Sequence, residues 1–248
     1  QDRLQNKTVM FNMAKESGEP FEVSFKFDGS SMSAFALKTA EDIRTGICSR
    51  NNEIITEVRQ WNFFEQCRYW LGTFIGRNRS FIRRRQVIFP SWKTDSGRSE
   101  YANFIDVCNK LDLFRRLKDY AAATGIHLTL QGELVGPGIE GNKEGLEEHD
   151  FYVFEVFIDG NQWVAPYRAK AIVTSLGLKY IPVFDPHFFI PKDASIKTVL
   201  ELADGDRALN PGKKGSTPRE GFVFKSLIRD MSFKVISNKR LLQDDKED

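Results

Sequence analysis

The stretch FEVSFKFDGSS, residues 21–31, decides the fold of the sequence. Its apolar side chains occupy every second position, at Phe21, Val23, Phe25 and Phe27. This period of two predicts a β-strand with one buried face, and Lys26 then lies on the polar face. Asp28 and Gly29 form a turn signal, and the run MSAFAL, 32–37, predicts a returning strand paired in a hairpin. The sequence therefore places a lysine at the end of a strand, just before a tight turn.

Four later segments predict strands, at 127–136, 150–159, 220–226 and 232–237. The first alternates and carries Glu133 on its polar face, whereas the second is almost continuously apolar and contains Phe154, as in a strand buried on both faces. In the last, Lys234 faces away from its apolar neighbours. Polar faces of several strands thus offer a lysine nucleophile, carboxylates and further cations.

One amphipathic helix is predicted over 99–125, because apolar residues recur there at helical spacing and Gly125 supplies a C-terminal stop. The charged tail at 239–248 predicts a frayed chain end. No internal repeat or shift in composition marks a second domain. The chain, 1–248, is therefore interpreted as one α+β unit.

Composition narrows the class of protein. Hydrophobic residues make up 41% and charged residues 28%, too apolar for a disordered chain. No apolar run approaches the roughly 20 residues that cross a bilayer, so we expect an intracellular, soluble protein without a membrane partner, its compartment left open. Three cysteines without paired spacing support neither a disulfide framework nor a zinc site.

Net charge alone, +2, does not predict nucleic-acid binding, but one cluster of basic residues does. This arginine patch consists of Arg77, Arg79, Arg83, Arg84 and Arg85. It is a candidate RNA-binding surface. A solvated face of a loop or helix is the alternative interpretation.

The order of the motifs adds specificity. KFDGSS resembles motif I (KxDG) of the covalent nucleotidyltransferase superfamily of ligases and capping enzymes. Motifs Ia, III, IIIa, IV and V have counterparts in family order, in SRN at 49–51, QGELVG at 131–136, FYVFEVF at 151–157, EGFVFK at 220–225 and SFKVIS at 232–237. The resemblance implies a mixed α/β nucleotidyltransferase domain, ATP-grasp-like, built on antiparallel sheets with flanking helices.

Within that superfamily the spelling is similar to the ATP-dependent RNA ligases of the Naegleria type. DNA ligases usually carry an arginine shortly after KxDG, and this chain has KFDGSSM. The resemblance implies ligation of RNA with 5′-phosphate and 3′-hydroxyl ends, by a monomer, through a lysyl-AMP intermediate. Relatives of this type carry an OB-like accessory domain, which we expect to lie outside this chain.

The resemblance also implies roles for single residues. Lys26 is the nucleophile joined to AMP, and Glu220 and Lys234 assist it in catalysis. Nucleotide binding falls to Arg50, Glu133, Phe154, Lys225 and Lys234, with the ring of Phe154 stacked on adenine. Glu220, Glu133 and Asp28 hold Mg²⁺ or Mn²⁺, although turn chemistry alone also explains Asp28.

Two positions depart from the family pattern. Ile236 stands where many ligases have a second motif V lysine, and Glu155 stands where an aspartate is common.

Two other functions remain open at this point. One is an mRNA capping guanylyltransferase that uses GTP, and the other is an RNA-binding relative without catalysis.

Overall fold

The computed structural model describes residues 2–3, 8–50, 53–54, 102–160, 162–211 and 217–247. Its helices are α1 (Thr8–Ser17), α2 (Ala102–Lys110), α3 (Leu113–Thr124), α4 (Pro166–Ser175), α5 (Ile196–Ala203) and α6 (Asn238–Glu247). Its strands are β1 (Asp2–Arg3), β2 (Pro20–Lys26), β3 (Ser30–Lys38), β4 (Ile43–Ser49), β5 (Glu53–Ile54), β6 (Leu128–Val135), β7 (Asp150–Ile158), β8 (Gln162–Trp163), β9 (Lys179–Tyr180), β10 (Val183–Phe189), β11 (Gly221–Ser226) and β12 (Ser232–Ile236).

The strands form two mainly antiparallel sheets. The first has five strands in the order β1-β12-β11-β2-β10. The second has the order β5-β4-β3-β6-β7-β8, and β9 pairs with β7 in parallel. Antiparallel sheets with flanking helices agree with the predicted α+β class, and all four later strands that the sequence predicts are present.

The link between β2 and β3 corrects one prediction. These strands are not a hairpin, because β2 pairs with β10 and β11 whereas β3 pairs with β4 and β6 in the other sheet. The segment 27–29 therefore crosses between sheets. A glycine is required there by close packing, since a Cβ on Gly29 would lie 2.5 Å from the carbonyl oxygen of Leu134 and 2.9 Å from Cγ of Glu133.

Among the described residues, three apolar clusters hold the fold together. Helices α2, α3 and α4 cover one face of the second sheet with residues such as Leu117 and Val173. Helices α1 and α5 cover the first sheet, where the rings of Phe224 and Phe233 stack at 5.0 Å. A small third cluster includes Phe27 and Tyr152 and bridges the two sheets.

The predicted single helix over 99–125 is wrong, because the structure has two helices, α2 and α3. Between them Asp112 adopts a left-handed conformation at φ 50°, which no α-helix can continue through. The predicted stop at Gly125 is confirmed, with φ 72° and its N–H donated to the carbonyl of Ala121.

The chain end corrects a further prediction. Residues 238–247 form helix α6 instead of a frayed tail, and Arg240 in its first turn is only 2% exposed.

Cys108 is a buried free thiol and Cys48 is partly exposed, while Cys67 lies outside the described residues. Among the described helices, none combines the length and apolar character that crossing a membrane requires.

Candidate active site

A cavity of about 170 Å³ brings together six of the predicted site residues. Its lining includes Lys26, Arg50, Glu133, Phe154, Lys225 and Lys234. These residues come from five strands and one loop that are far apart in the chain. The two sheets supply opposite sides of the cavity, with the lysines on the first sheet and Glu133 and Phe154 on the second.

Strand pairing sets the positions of side chains on the floor of this cavity. Lys26 of β2 lies opposite Gly221 of β11, and Ser24 lies opposite Val223. Val223 in turn lies opposite Lys234 of β12. Ser24, Val223 and Lys234 thus form one cross-strand row, which lies two residues, or about 7 Å, from Lys26 along β2. Because every second residue of a strand shares a face, Lys26 and Lys234 lie on the same face of the sheet.

The side chain of Lys26 is paired with Glu220. Its Nζ lies 2.6 Å from both carboxylate oxygens, and the two side chains are 21% and 19% exposed. Glu220 immediately precedes β11, and its backbone carbonyl accepts a hydrogen bond of 2.9 Å from the N–H of Ser237. The carboxylate of Glu220, predicted to assist catalysis, thus forms a hydrogen-bonded ion pair with the predicted nucleophile, Lys26.

Asp28 lies next to the cavity, in the segment that joins the sheets. Its Oδ2 accepts a hydrogen bond of 2.9 Å from Nη2 of Arg240, and Nζ of Lys143 lies 3.6 Å away. Arg240 and Lys143 were not predicted as site residues. Arg240 follows the last motif in a segment predicted to fray, and no local pattern in the sequence pairs it with residue 28.

Burial raises the pKa of Glu133 to about 7. The charge of Lys26 opposes this rise, whereas the nearby carboxylates of Glu220 and Asp28 add to it. Arg50, an exposed residue that directly follows β4, also lowers this pKa. Three predicted metal-site carboxylates therefore share one electrostatic environment.

These carboxylates fit a hard divalent cation through oxygen atoms, the donor type that Mg²⁺ and Mn²⁺ prefer. Within the described residues, however, no three His, Cys, Asp or Glu side chains stand close enough together to coordinate a metal ion directly. Mg²⁺ usually keeps several waters in protein sites. Contact between a cation and these carboxylates would accordingly run through water ligands.

Lys225, predicted to bind the nucleotide, contacts Phe154 of the second sheet. Its Nζ donates a hydrogen bond to the backbone carbonyl of Phe154 and lies 5.3 Å from the centroid of that ring. Burial lowers the pKa of Lys225, while the charges of Glu155 and Glu22 oppose the shift. The ammonium group therefore connects the first sheet to β7, the strand that carries Phe154.

Sequence reasoning missed Glu144, which lies in the loop between β6 and β7. It is 4% exposed, and burial raises its pKa to about 7, an effect that Arg207 opposes and that Asp28 and Glu220 increase. Arg207 also donates a hydrogen bond of 2.7 Å to the carbonyl of Lys143. A glutamate in a glycine-rich loop carries no strand or helix pattern that would have revealed it.

The arginine patch lies outside the described residues, so Arg77, Arg79, Arg83, Arg84 and Arg85 keep their predicted role as a prediction. His127, His149 and His187, by contrast, are described and none lines this cavity.

Solved structures resemble this fold over its whole length. Naegleria gruberi RNA ligase with PPi is 26% identical, with a TM-score of 0.68 over 100% of this chain. A lysine-to-alanine variant of that ligase with ATP and Mn is 25% identical, with a TM-score of 0.67 over 100% of this chain. This chain spans 57% of the length of each of them. A comparison with curated protein sequences gives no match.

The family comparison covers motifs I, Ia, III, IIIa and IV in full and motif V as far as Ile236. The sequence model described as RNA ligase matches residues 19–236, from the strand that carries Lys26 to the last residue of β12. The mixed α+β nucleotidyltransferase fold predicted from the motifs agrees with the solved relatives. Neither of the other functions considered, a capping guanylyltransferase or an inactive RNA-binding relative, is favoured by this match. The chain belongs to the RNA ligase family.

Proposed function

We propose that this chain is the nucleotidyltransferase domain of an ATP-dependent RNA ligase and that residues 1–248 form one domain. The observation that carries the proposal is the Lys26–Glu220 pair, 2.6 Å apart, in which Lys26 lines a cavity together with two further lysines. The family match and the ATP, Mn and PPi in the structures of Naegleria gruberi RNA ligase support it.

Lys26 is the nucleophile in this proposal. Its deprotonated Nζ attacks the α-phosphorus of ATP, an N–P bond forms, and the bond from the α-phosphorus to the bridging oxygen breaks with release of pyrophosphate. Glu220 is placed to accept the proton from Nζ and to keep the amine aligned. Lys234, one step along the floor, neutralises charge that develops on the α-phosphate.

The remaining cavity residues bind the nucleotide. Phe154 stacks on the base, a contact that adds about 0.5–1.5 kcal/mol beyond burial. Arg50 contacts the ribose or a phosphate, and Glu133 contacts the ribose or the water shell of the metal. Lys225 completes the set, and its hydrogen bond to the Phe154 carbonyl supports a role at the base end of the site.

Glu220, Glu133 and Asp28 would hold Mg²⁺ or Mn²⁺ through its water ligands. Such a cation would offset negative charge on the phosphates in the transition state. Charge neutralisation is needed because the site already contains several carboxylates close to one another.

The partner of the adenylated domain is RNA. AMP passes from Lys26 to an RNA 5′-phosphate, and a 3′-hydroxyl then displaces AMP to form the phosphodiester bond. The arginine patch binds phosphates of this RNA, and an OB-like accessory domain in the full-length protein completes the binding surface. The domain acts as a monomer.

The decisive experiment is covalent labelling. Incubation with Mg²⁺ and α-labelled ATP, followed by denaturing electrophoresis, is expected to give a labelled protein band, whereas α-labelled GTP gives none. Lys26→Met abolishes the label, because no amine remains to attack. Lys38→Met, which removes an exposed lysine at the end of β3, is the matched control and keeps the label.

Two outcomes would contradict the proposal. Label from GTP in place of ATP would identify a guanylyltransferase. Label that persists in a folded Lys26→Met protein would assign the nucleophile to another lysine. Circular dichroism of both variants checks folding, which we expect to be intact because the Lys26 side chain lies at the cavity and outside the apolar clusters.

A further inference from the structure

Arg240 is a buried arginine that belongs to none of the predicted motifs. It is 2% exposed and lies in the first turn of α6, three residues after Ser237, the residue that follows β12. Its Nη2 donates a hydrogen bond of 2.9 Å to Oδ2 of Asp28. Burying a charged guanidinium without a partner costs several kcal/mol of stability, so the fold has to supply Arg240 with an acidic partner.

The start of α6 is fixed by hydrogen bonds around Ser237. Its Oγ accepts the N–H of Arg240 at 3.2 Å, which is the geometry of a helix N-cap, and donates to Oδ1 of Asp204 at 2.7 Å. The N–H of Ser237 donates to the carbonyl of Glu220 at 2.9 Å. One residue therefore joins the backbone of the catalytic carboxylate to the helix that carries Arg240.

Ser237 consequently connects two ion pairs, Lys26 with Glu220 and Asp28 with Arg240. Asp28 itself follows the end of β2 and is not part of a strand, so its side chain depends on such partners for its orientation. Lys143, a second cation near it among the described residues, is more distant at 3.6 Å and 26% exposed. Arg240 provides the shorter and better-shielded contact.

We propose that Arg240 is a positioning residue, which holds the carboxylate of Asp28 in the orientation that the metal's water shell requires. The proposal rests on the proposed function, because that function gives Asp28 its metal role. It extends the site beyond the last motif, into a helix that the sequence patterns leave unassigned. Arg240 acts through Asp28 and does not touch the nucleotide.

The first test measures lysyl-AMP formation across a Mg²⁺ series. Arg240→Met is expected to raise the Mg²⁺ concentration for half-maximal rate by about 10- to 100-fold, the usual effect of removing a partner of a metal-binding group. Arg240→Lys recovers part of the loss. Lys239→Met, which removes the same charge from an exposed position of the same helix, leaves the Mg²⁺ dependence unchanged. Overlapping curves for Arg240→Met and wild type would overturn the proposal.

The second test needs no activity. Urea unfolding of Arg240→Met, Asp28→Asn and the double variant gives a cycle in which the effects are expected to be non-additive, because each single change removes the same pair. If Arg240→Met does not fold, Arg240→Lys takes its place in the cycle. Additive effects would refute the pairing. A wild type that forms no lysyl-AMP would refute the proposed function, and the cycle would still decide whether Arg240 pairs with Asp28.

Discussion

Replacing Glu144 with glutamine is expected to make the protein less sensitive to rising pH. Glu144 is 4% exposed, and its Oε2 is buried without a hydrogen-bond partner among the described residues. Burial raises the pKa of this carboxyl from 4.5 to about 7. The folded protein therefore keeps the proton over a pH range in which the unfolded chain has released it.

The size of the effect follows from that difference in pKa. At about 1.4 kcal/mol per pKa unit, a rise from 4.5 to about 7 corresponds to about 3 kcal/mol. Because the folded pKa is the higher one, Glu144 lowers the free energy of unfolding as the pH rises from about 4.5 to 7. Glutamine carries no proton that can be lost, so the variant escapes this decrease.

The assay is urea unfolding of both proteins at pH 4 and pH 8. The free energy of unfolding of Glu144→Gln, relative to wild type, is expected to increase by about 3 kcal/mol between these pH values. Glu133, whose pKa is also raised, is present in both proteins and cancels. Glu147→Gln, at an exposed position in the same loop, is the control. A constant difference between Glu144→Gln and wild type at both pH values would refute the reasoning.

Two further predictions concern catalysis and RNA. Glu220→Ala and Lys234→Ala are each expected to slow lysyl-AMP formation by about 100- to 1,000-fold, because a group aimed at developing charge typically contributes ~2.7–4 kcal/mol; a near-wild-type rate for either would remove it from the site. Alanine at Arg83, Arg84 and Arg85 together is expected to weaken RNA binding and flatten its salt dependence while lysyl-AMP formation persists. Identical salt slopes for this triple variant and wild type would identify a solvated surface.

The strands and the cavity residues could be predicted because their signals are local. Period-two alternation located β2, β6 and β12, and the motif spellings selected the side chains that share the cavity. Alternation does not reveal the partner of a strand, which is why β2 and β3 were wrongly joined in a hairpin. The apolar positions Phe21 and Val23 of β2 are buried as predicted, but the polar face is buried as well, since Glu22 and Ser24 on it are 4% and 0% exposed.

The contacts that escaped prediction are non-local. Arg240 and Asp28 are separated by 212 residues, and the apolar spacing around α6 is too weak to predict a packed helix. The break at Asp112 depends on a left-handed conformation that aspartate adopts only in some contexts. Burial of Glu144 likewise results from how two loops meet, and each loop by itself has the composition of an exposed segment.

The close contact at Gly29 gives the motif glycine a meaning beyond turn formation. Its φ is outside the left-handed region, so a side chain is excluded here by the neighbouring strand and not by backbone strain. A methyl group at this position would act as a wedge between the strand of Glu133 and the segment that follows Lys26. Such a chain would retain every reactive group and still lose their alignment. The glycine of KxDG thus sets how closely the segment after Lys26 can approach the strand that carries Glu133.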